Sequence, residues 1–135
     1  MKEMKVHFFW IDRWNDGDLF PEARSYDAPN TFKGLIFSFL NDDEGHGIKC
    51  LSNWIDEGLI EIEKISNGEL NYYDMWAFHA WGAEITKANV LIYWGYDDTK
   101  YDENMSFECF YRIIKEWGAF LKMVASLDQI VEFEC

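Results

Sequence analysis

The spacing of apolar residues predicts two amphipathic helices. From about residue 48 to residue 65, apolar residues recur at intervals of three and four, and most charged residues fall on the other side. The Ser-Asn-Gly sequence at 66–68 then ends the pattern, as is typical of helix C-termini. A second stripe of the same spacing follows Ser106, a candidate N-cap with Glu108 in the first turn, and continues to about Ser126.

Alternation of apolar positions predicts strands in the rest of the chain. Residues 4–14 alternate with apolar side chains on both faces, which is typical of a strand covered on both sides. FKGLIFSFL at 32–40 and NYYDMWAFHA at 71–80 are predicted as further strands. AWGAEITKANVLIYW at 80–94 predicts an antiparallel hairpin, and QIVEFE near residue 130 predicts a short edge strand.

Polar segments separate these elements. Residues 15–30 hold both prolines and several turn-forming residues, so they are predicted as a loop, as are NDDEGHG at 41–47 and the stretch 96–105. Short turns between successive strands favour antiparallel pairing. We therefore predict a single α+β domain over residues 1–135, an antiparallel sheet of about five strands with two helices packed on one face.

Composition agrees with a folded domain and adds a strong negative charge. The chain has 135 residues, 49% of them hydrophobic, with 25 Asp and Glu against 12 Lys and Arg and a net charge of −13. Such a chain repels nucleic-acid phosphates, which argues against direct nucleic-acid binding, and attracts basic partners. The same charge would also serve solubility alone, and composition does not separate the two roles.

The cysteines and the apolar runs predict a cytoplasmic location. Cys50, Cys109 and Cys135 are an odd number without metal-binding spacing, so three reduced thiols are expected. The apolar stretch VHFFWI near the start is too short for a signal peptide. No apolar run approaches the roughly 20 residues that cross a bilayer, so no membrane association is expected.

Candidate catalytic groups are few. His7 and His79 fall inside predicted strands, and His46 lies in the acidic turn DDEGHG, which does not match a calcium loop. Nucleophile-elbow, phosphate-loop and zinc-protease motifs are missing from the sequence. We therefore predict a protein that is not an enzyme and that uses no cofactor or metal.

Acidic residues cluster in the predicted loops, and Trp14 and Tyr96 lie beside them. Trp and Tyr are frequent anchors of protein interfaces, and loops at one end of a sheet would merge into one negative surface. The predicted partner-binding residues are Trp14, Asp16, Asp18, Asp42, Asp43, Glu44, Asp56, Glu57, Tyr96, Asp97 and Asp98.

Residues from about 76 to 122 carry a resemblance to a known family. The segments Trp81-Gly82-Ala83-Glu84 and Val90-Leu91-Ile92-Tyr93, the acids at 97–98 and the helix residues Phe110, Trp117 and Leu121 resemble the C-terminal half of small immunity proteins of bacterial polymorphic toxin systems, including contact-dependent growth inhibition.

This resemblance implies an intracellular inhibitor that binds a cognate toxin domain, often a nuclease, and blocks it without chemistry. An inhibitor of this kind would bind its toxin stoichiometrically, and the charge adds the expectation that the toxin domain is basic. Two alternatives stay open, a small acidic module that binds a ligand or metal and a nucleic-acid mimic that regulates a host protein.

Overall fold

The structure is a computed structural model that describes residues 4–25, 34–96 and 102–135. Within these ranges it has seven strands and three helices, and the predicted α+β class is confirmed. In chain order they are β1 (Lys5–Ile11), β2 (Phe20–Ser25), α1 (Leu35–Leu40), α2 (Ile48–Ser66), β3 (Tyr73–Trp76), β4 (Trp81–Ile85), β5 (Val90–Trp94), β6 (Asp102–Met105), α3 (Phe107–Leu121) and β7 (Ile130–Glu134).

The strands form two antiparallel sheets instead of the single sheet of about five strands expected from the sequence. The first sheet has the order β2-β1-β7, and the second sheet has the order β3-β4-β5-β6. Among the helices, α1 contacts β2, β4 and β5, α2 contacts β3 and α3, and α3 contacts β1. One hydrophobic core therefore joins both sheets through the helices.

The segment predicted as a strand at 32–40 contains a helix. Residues 35–40 form α1, and Leu35, Ile36 and Phe39 are fully buried. A short apolar run has no period that separates a buried strand from a buried helix, which is why the pattern misled here. Gly34 precedes the helix with φ 73°, a conformation that favours glycine. Residues 32 and 33 lie outside the described ranges.

Two strands lie in segments predicted as loops. β2 occupies 20–25 within the predicted loop 15–30, and it tolerates Pro21 because it is an edge strand of the first sheet. β6 occupies 102–105 and pairs with β5, although its sequence is polar. Both are edge strands with one unpaired side, and edge strands often carry polar residues or proline.

The two amphipathic helices and the last strand are confirmed. α2 covers the predicted segment, and α3 begins after Ser106, whose hydroxyl accepts the Cys109 N–H at 3.2 Å. α3 ends at 121, several residues before the expected end. Its Trp117 and Phe120 rings pack against Phe8 of β1. No helix of the described ranges combines the length and apolar character needed to cross a membrane.

The expectation of three reduced thiols is wrong for two of them. Cys109 in the first turn of α3 is disulfide-bonded to Cys135, and the two Cα atoms lie 5.2 Å apart. β7 pairs with β1, so residue 135 is carried next to the start of α3, a proximity that sequence spacing did not reveal. Cys50 is an exposed free cysteine.

Candidate functional site

Asp42 links two loops of the protein through hydrogen bonds. Its Oδ2 atom accepts the backbone N–H groups of His79 and Ala80, both at 3.1 Å, and that of Trp81 at 3.5 Å. These bonds tie the segment between α1 and α2 to the turn between β3 and β4. Asp42 was expected to meet a partner, but its carboxylate is committed to backbone N–H groups and positions the residues around it.

Those residues form a group of rings that we call the ring cluster, which comprises His79, Trp81, Trp94 and Tyr96. Trp81 and Trp94 face each other in the register of β4 and β5, with ring centroids 5.1 Å apart. The Tyr96 ring lies 5.8 Å from both Trp94 and His79, and its hydroxyl donates to the His79 carbonyl oxygen at 3.0 Å. Tyr96 is 65% exposed, so the cluster reaches solvent.

Glu44 lies at the rim of the ring cluster. Its Oε1 atom is 3.4 Å from Nδ1 of His79, and both side chains are about half exposed. Glu44 and Tyr96 come from loops far apart in the sequence, and the structure brings both to His79. Asp97 and Asp98, which follow Tyr96, lie outside the described residues.

The loop between β1 and β2 presents Trp14 and Asp18. The Asp12 carboxylate accepts the N–H groups of Asp16 and Gly17, and Asp16 Oδ1 accepts the N–H of Asp18 at 3.0 Å. The turn places Trp14 in solvent with 68% of its surface exposed. Asp12 was missed by sequence reasoning, because its bonds to N–H groups four and five residues ahead depend on the fold of the loop.

The remaining expected residues lie apart from the ring cluster. Asp43 lines a small hollow with Arg13 and Phe20, close to the loop that holds Trp14. Asp56 on α2 forms an ion pair with Lys122 at 2.6 Å, which links α2 to the end of α3. Glu57 is exposed on the same helix. Among the described residues, these expected partner-binding acids therefore lie in separate groups.

The second sheet carries a further group that sequence reasoning missed. On its side away from the helices lie Tyr72, Asp74, Trp76, Glu84 and Tyr93, and we call this group the acidic-aromatic face. The Asp74 carboxylate accepts the Tyr93 hydroxyl at 2.6 Å and the Trp76 indole N–H at 3.1 Å. One acid therefore fixes the orientation of two rings.

Glycine makes room for those rings. Gly82 pairs with Trp76 on one side and Tyr93 on the other, and a Cβ atom there would lie 2.6 Å from the Tyr93 ring. A Cβ atom at Gly95 would collide with the Trp76 ring. The signal was present in the alternation of β4 and β5, whose outer positions include Gly82, Glu84, Leu91 and Tyr93.

Negative charge accumulates on the acidic-aromatic face. Asp74 and Glu84 are directly opposite each other in the register of β3 and β4. Partial desolvation, the hydrogen bond to Asp74 and the charges of Asp74 and Glu84 strongly raise the pKa of Tyr93. Desolvation and the same two carboxylates raise the pKa of Tyr72. Desolvation is the largest cause of both raised pKa values, and the neighbouring carboxylates add to it because their charge makes the local potential negative.

The described residues include no group of three or more His, Cys, Asp or Glu that could hold a metal ion. Comparison with protein-family models, with curated proteins and with solved structures finds no match to this chain.

Proposed function

We propose that this protein is an immunity protein that binds a basic toxin domain, such as a nuclease, and neutralises it in a stoichiometric complex. The observation that carries the proposal is the ring cluster with Glu44 at its rim. Tyr96 and His79 are exposed there beside half-buried Trp81 and Trp94, and an acid lies at hydrogen-bonding range from the imidazole.

This arrangement has the composition of a protein interface. Energetically dominant interface residues are enriched in Trp and Tyr, and charged residues at the rim act mainly on the rate and selectivity of association. A net charge of −13 would speed the encounter with a basic partner. The resemblance of residues 76–122 to immunity proteins supports the same proposal.

Affinity purification tests the proposal directly. The tagged protein would be recovered from its source cells and washed at low and then at high salt. We expect one stoichiometric basic protein, whose toxicity disappears when this protein is added. Recovery without a partner would contradict the proposal, and several unrelated basic partners would favour a nucleic-acid mimic.

Two substitutions then test the ring cluster. Tyr96→Ala removes the exposed ring, and Glu44→Lys reverses the rim charge; both side chains are exposed, so the fold should remain. We expect Tyr96→Ala to weaken toxin binding by about 30-fold or more, the scale of an interface hot spot. Glu44→Lys should mainly slow association.

Ile60→Ala, an exposed change on α2, serves as the matched control and should leave affinity unchanged. Equal affinities for Tyr96→Ala and Ile60→Ala would exclude the ring cluster from the interface.

A further inference from the structure

The acidic-aromatic face has no helix layer within the described part of the chain. The helices that contact the second sheet do so on its other side, where Met75, Ala83 and Ile92 are buried in the common core. The Met75 side chain lies directly against Gly58 of α2 on that side. One side of the sheet therefore faces the core, and the other carries Leu91 together with polar and aromatic side chains.

The rings on this face are exposed and held in place. Trp76 is 45% exposed and Tyr72 is 48% exposed. Trp76 and Tyr93 meet edge to face with centroids 5.7 Å apart, and both donate to Asp74. Rings that are already oriented lose little conformational freedom when a partner covers them, which favours binding.

The carboxylates on this face oppose each other without a cation. Like charges directly opposite across two strands are destabilising. No Lys, Arg or His in the described ranges forms an ion pair with Asp74 or Glu84. The repulsion between the two acids opposes the stabilising hydrogen bonds that Asp74 accepts from Tyr93 and Trp76, and a cation supplied from outside would relieve that repulsion.

We propose that the acidic-aromatic face docks a basic segment of the partner, one that places Arg or Lys side chains on Asp74 and Glu84 and over the neighbouring rings. Charge-assisted hydrogen bonds to carboxylates and cation–π contacts with Trp and Tyr are the interactions that this surface supplies. The inference rests on the proposed function for the identity of the partner, but its test does not require the toxin.

A short arginine-rich peptide serves as the probe, added at low salt to the purified full chain. We expect the indole N–H of Trp76 to show the largest NMR shift among the tryptophans, assigned with Trp76→Phe. The decisive variants are Glu84→Lys and Glu63→Lys, which change the net charge equally. Glu63 lies exposed on α2, away from the face.

Glu84→Lys should weaken peptide binding about tenfold, and Glu63→Lys at most two- to threefold, because the general field changes equally in both. Equal weakening by the two substitutions, or an unchanged Trp76 signal, would contradict the proposal that this face docks a basic segment.

A lysine at 84 also lies opposite Asp74, so Glu84→Lys should raise the melting temperature of the free protein by about 1–5 °C over Glu63→Lys. A lower melting temperature would contradict the repulsion argument.

The two proposals fail separately. If a toxin is captured but Glu84→Lys behaves like its control, the immunity function stands and the docking face is wrong. If the peptide binds the face but no toxin is captured, the face is a site for basic segments and the immunity function is wrong.

Discussion

At the scale of single residues, acids on this protein have two different roles. Asp42 accepts backbone N–H groups of the turn before β4, whereas Glu44 extends into solvent beside an exposed ring. The sequence presents both as neighbouring acids in one polar turn. Charge clustering alone therefore cannot separate a carboxylate that organises a loop from one that is available to a partner.

Replacing Asp42 should destabilise the protein. Asp42→Ala leaves the N–H groups of His79 and Ala80 without their acceptor, which should cost about 1–3 kcal/mol in the free energy of unfolding. Asp42→Asn keeps one acceptor oxygen and should lose less. Urea unfolding measures both, with Glu44→Gln as the neighbouring control. A stability of Asp42→Ala equal to that control would show that water replaces the carboxylate.

Titration of the Tyr93 phenol should make the free energy of unfolding depend on pH in the alkaline range. Its pKa in the folded protein is raised, so the native state holds the phenol proton more tightly than the unfolded chain does. Its contribution is complete below the ordinary pKa of 10.0 and is lost as pH rises above that value. Tyr93→Phe should therefore lose less stability than the parent protein between about pH 9 and pH 11.

Urea midpoints across that range give the measurement for Tyr93. Tyr72 and Tyr73 also have a raised pKa, so some dependence on pH should remain in the variant. Curves that stay parallel for the two proteins would mean that neither desolvation nor Asp74 raises the pKa of Tyr93 in solution.

At the scale of elements, periodicity predicted the two long helices and missed the short one. α2 and α3 are long enough for a stripe with intervals of three and four to be unambiguous. α1 has six residues, five of them buried, so nothing in its pattern distinguishes it from a core strand. β2 and β6 were missed because edge strands often carry polar residues and proline.

Only the part of the candidate site that lies in loops was predictable from the sequence. Glu44 and Tyr96 stood out because an acid and an aromatic residue in loops are visible without a fold. Asp74, Glu84 and Tyr93 lie inside strands, and only the register of β3, β4 and β5 places them side by side. Sequence alternation gives the face of each residue but not its neighbour on the next strand.

The link between α3 and β7 leads to a prediction at this scale. Cys109 and Cys135 are 26 residues apart, and closing a loop of that size stabilises a fold by about 3 kcal/mol. Cys135→Ser should therefore lower the urea midpoint, and a dithiol reductant should do the same to the parent protein. Cys50→Ser should have no effect, because Cys50 is exposed and unbonded. Identical midpoints for parent and Cys135→Ser would show that the bond does not form in solution.

At the scale of the whole molecule, two sheets share one core, and the apolar pattern did not reveal that division. Alternation shows that residues 4–14 and the hairpin at 80–94 are strands, but it does not show whether they belong to the same sheet. The long-range pairing of β7 with β1 closes the first sheet and leaves β3 to β6 as a local meander. The sheet that a strand joins depends on its contacts with distant segments, and these contacts cannot be read from the apolar pattern of a single sequence.

The net charge of −13 leads to a prediction for the whole protein. Repulsion among like charges destabilises a compact state, and salt reduces it as the screening length falls from about 30 Å at 0.01 M to about 8 Å at 0.15 M. Exposed ion pairs such as Lys122 with Asp56 lose strength in salt, but each contributes only about 0–1 kcal/mol. We therefore expect the melting temperature to rise with salt over this range.

Calorimetry in NaCl and in KCl measures that rise, and equal curves for the two salts identify screening as its cause. Glu84→Lys removes a specific repulsion as well as net charge, so its melting temperature should rise less with salt than that of Glu63→Lys. A parent protein whose stability is flat or falling with salt would mean that repulsion among its acids does not limit its stability. The net charge would still attract a basic partner, and the salt dependence of the association rate would measure that attraction separately.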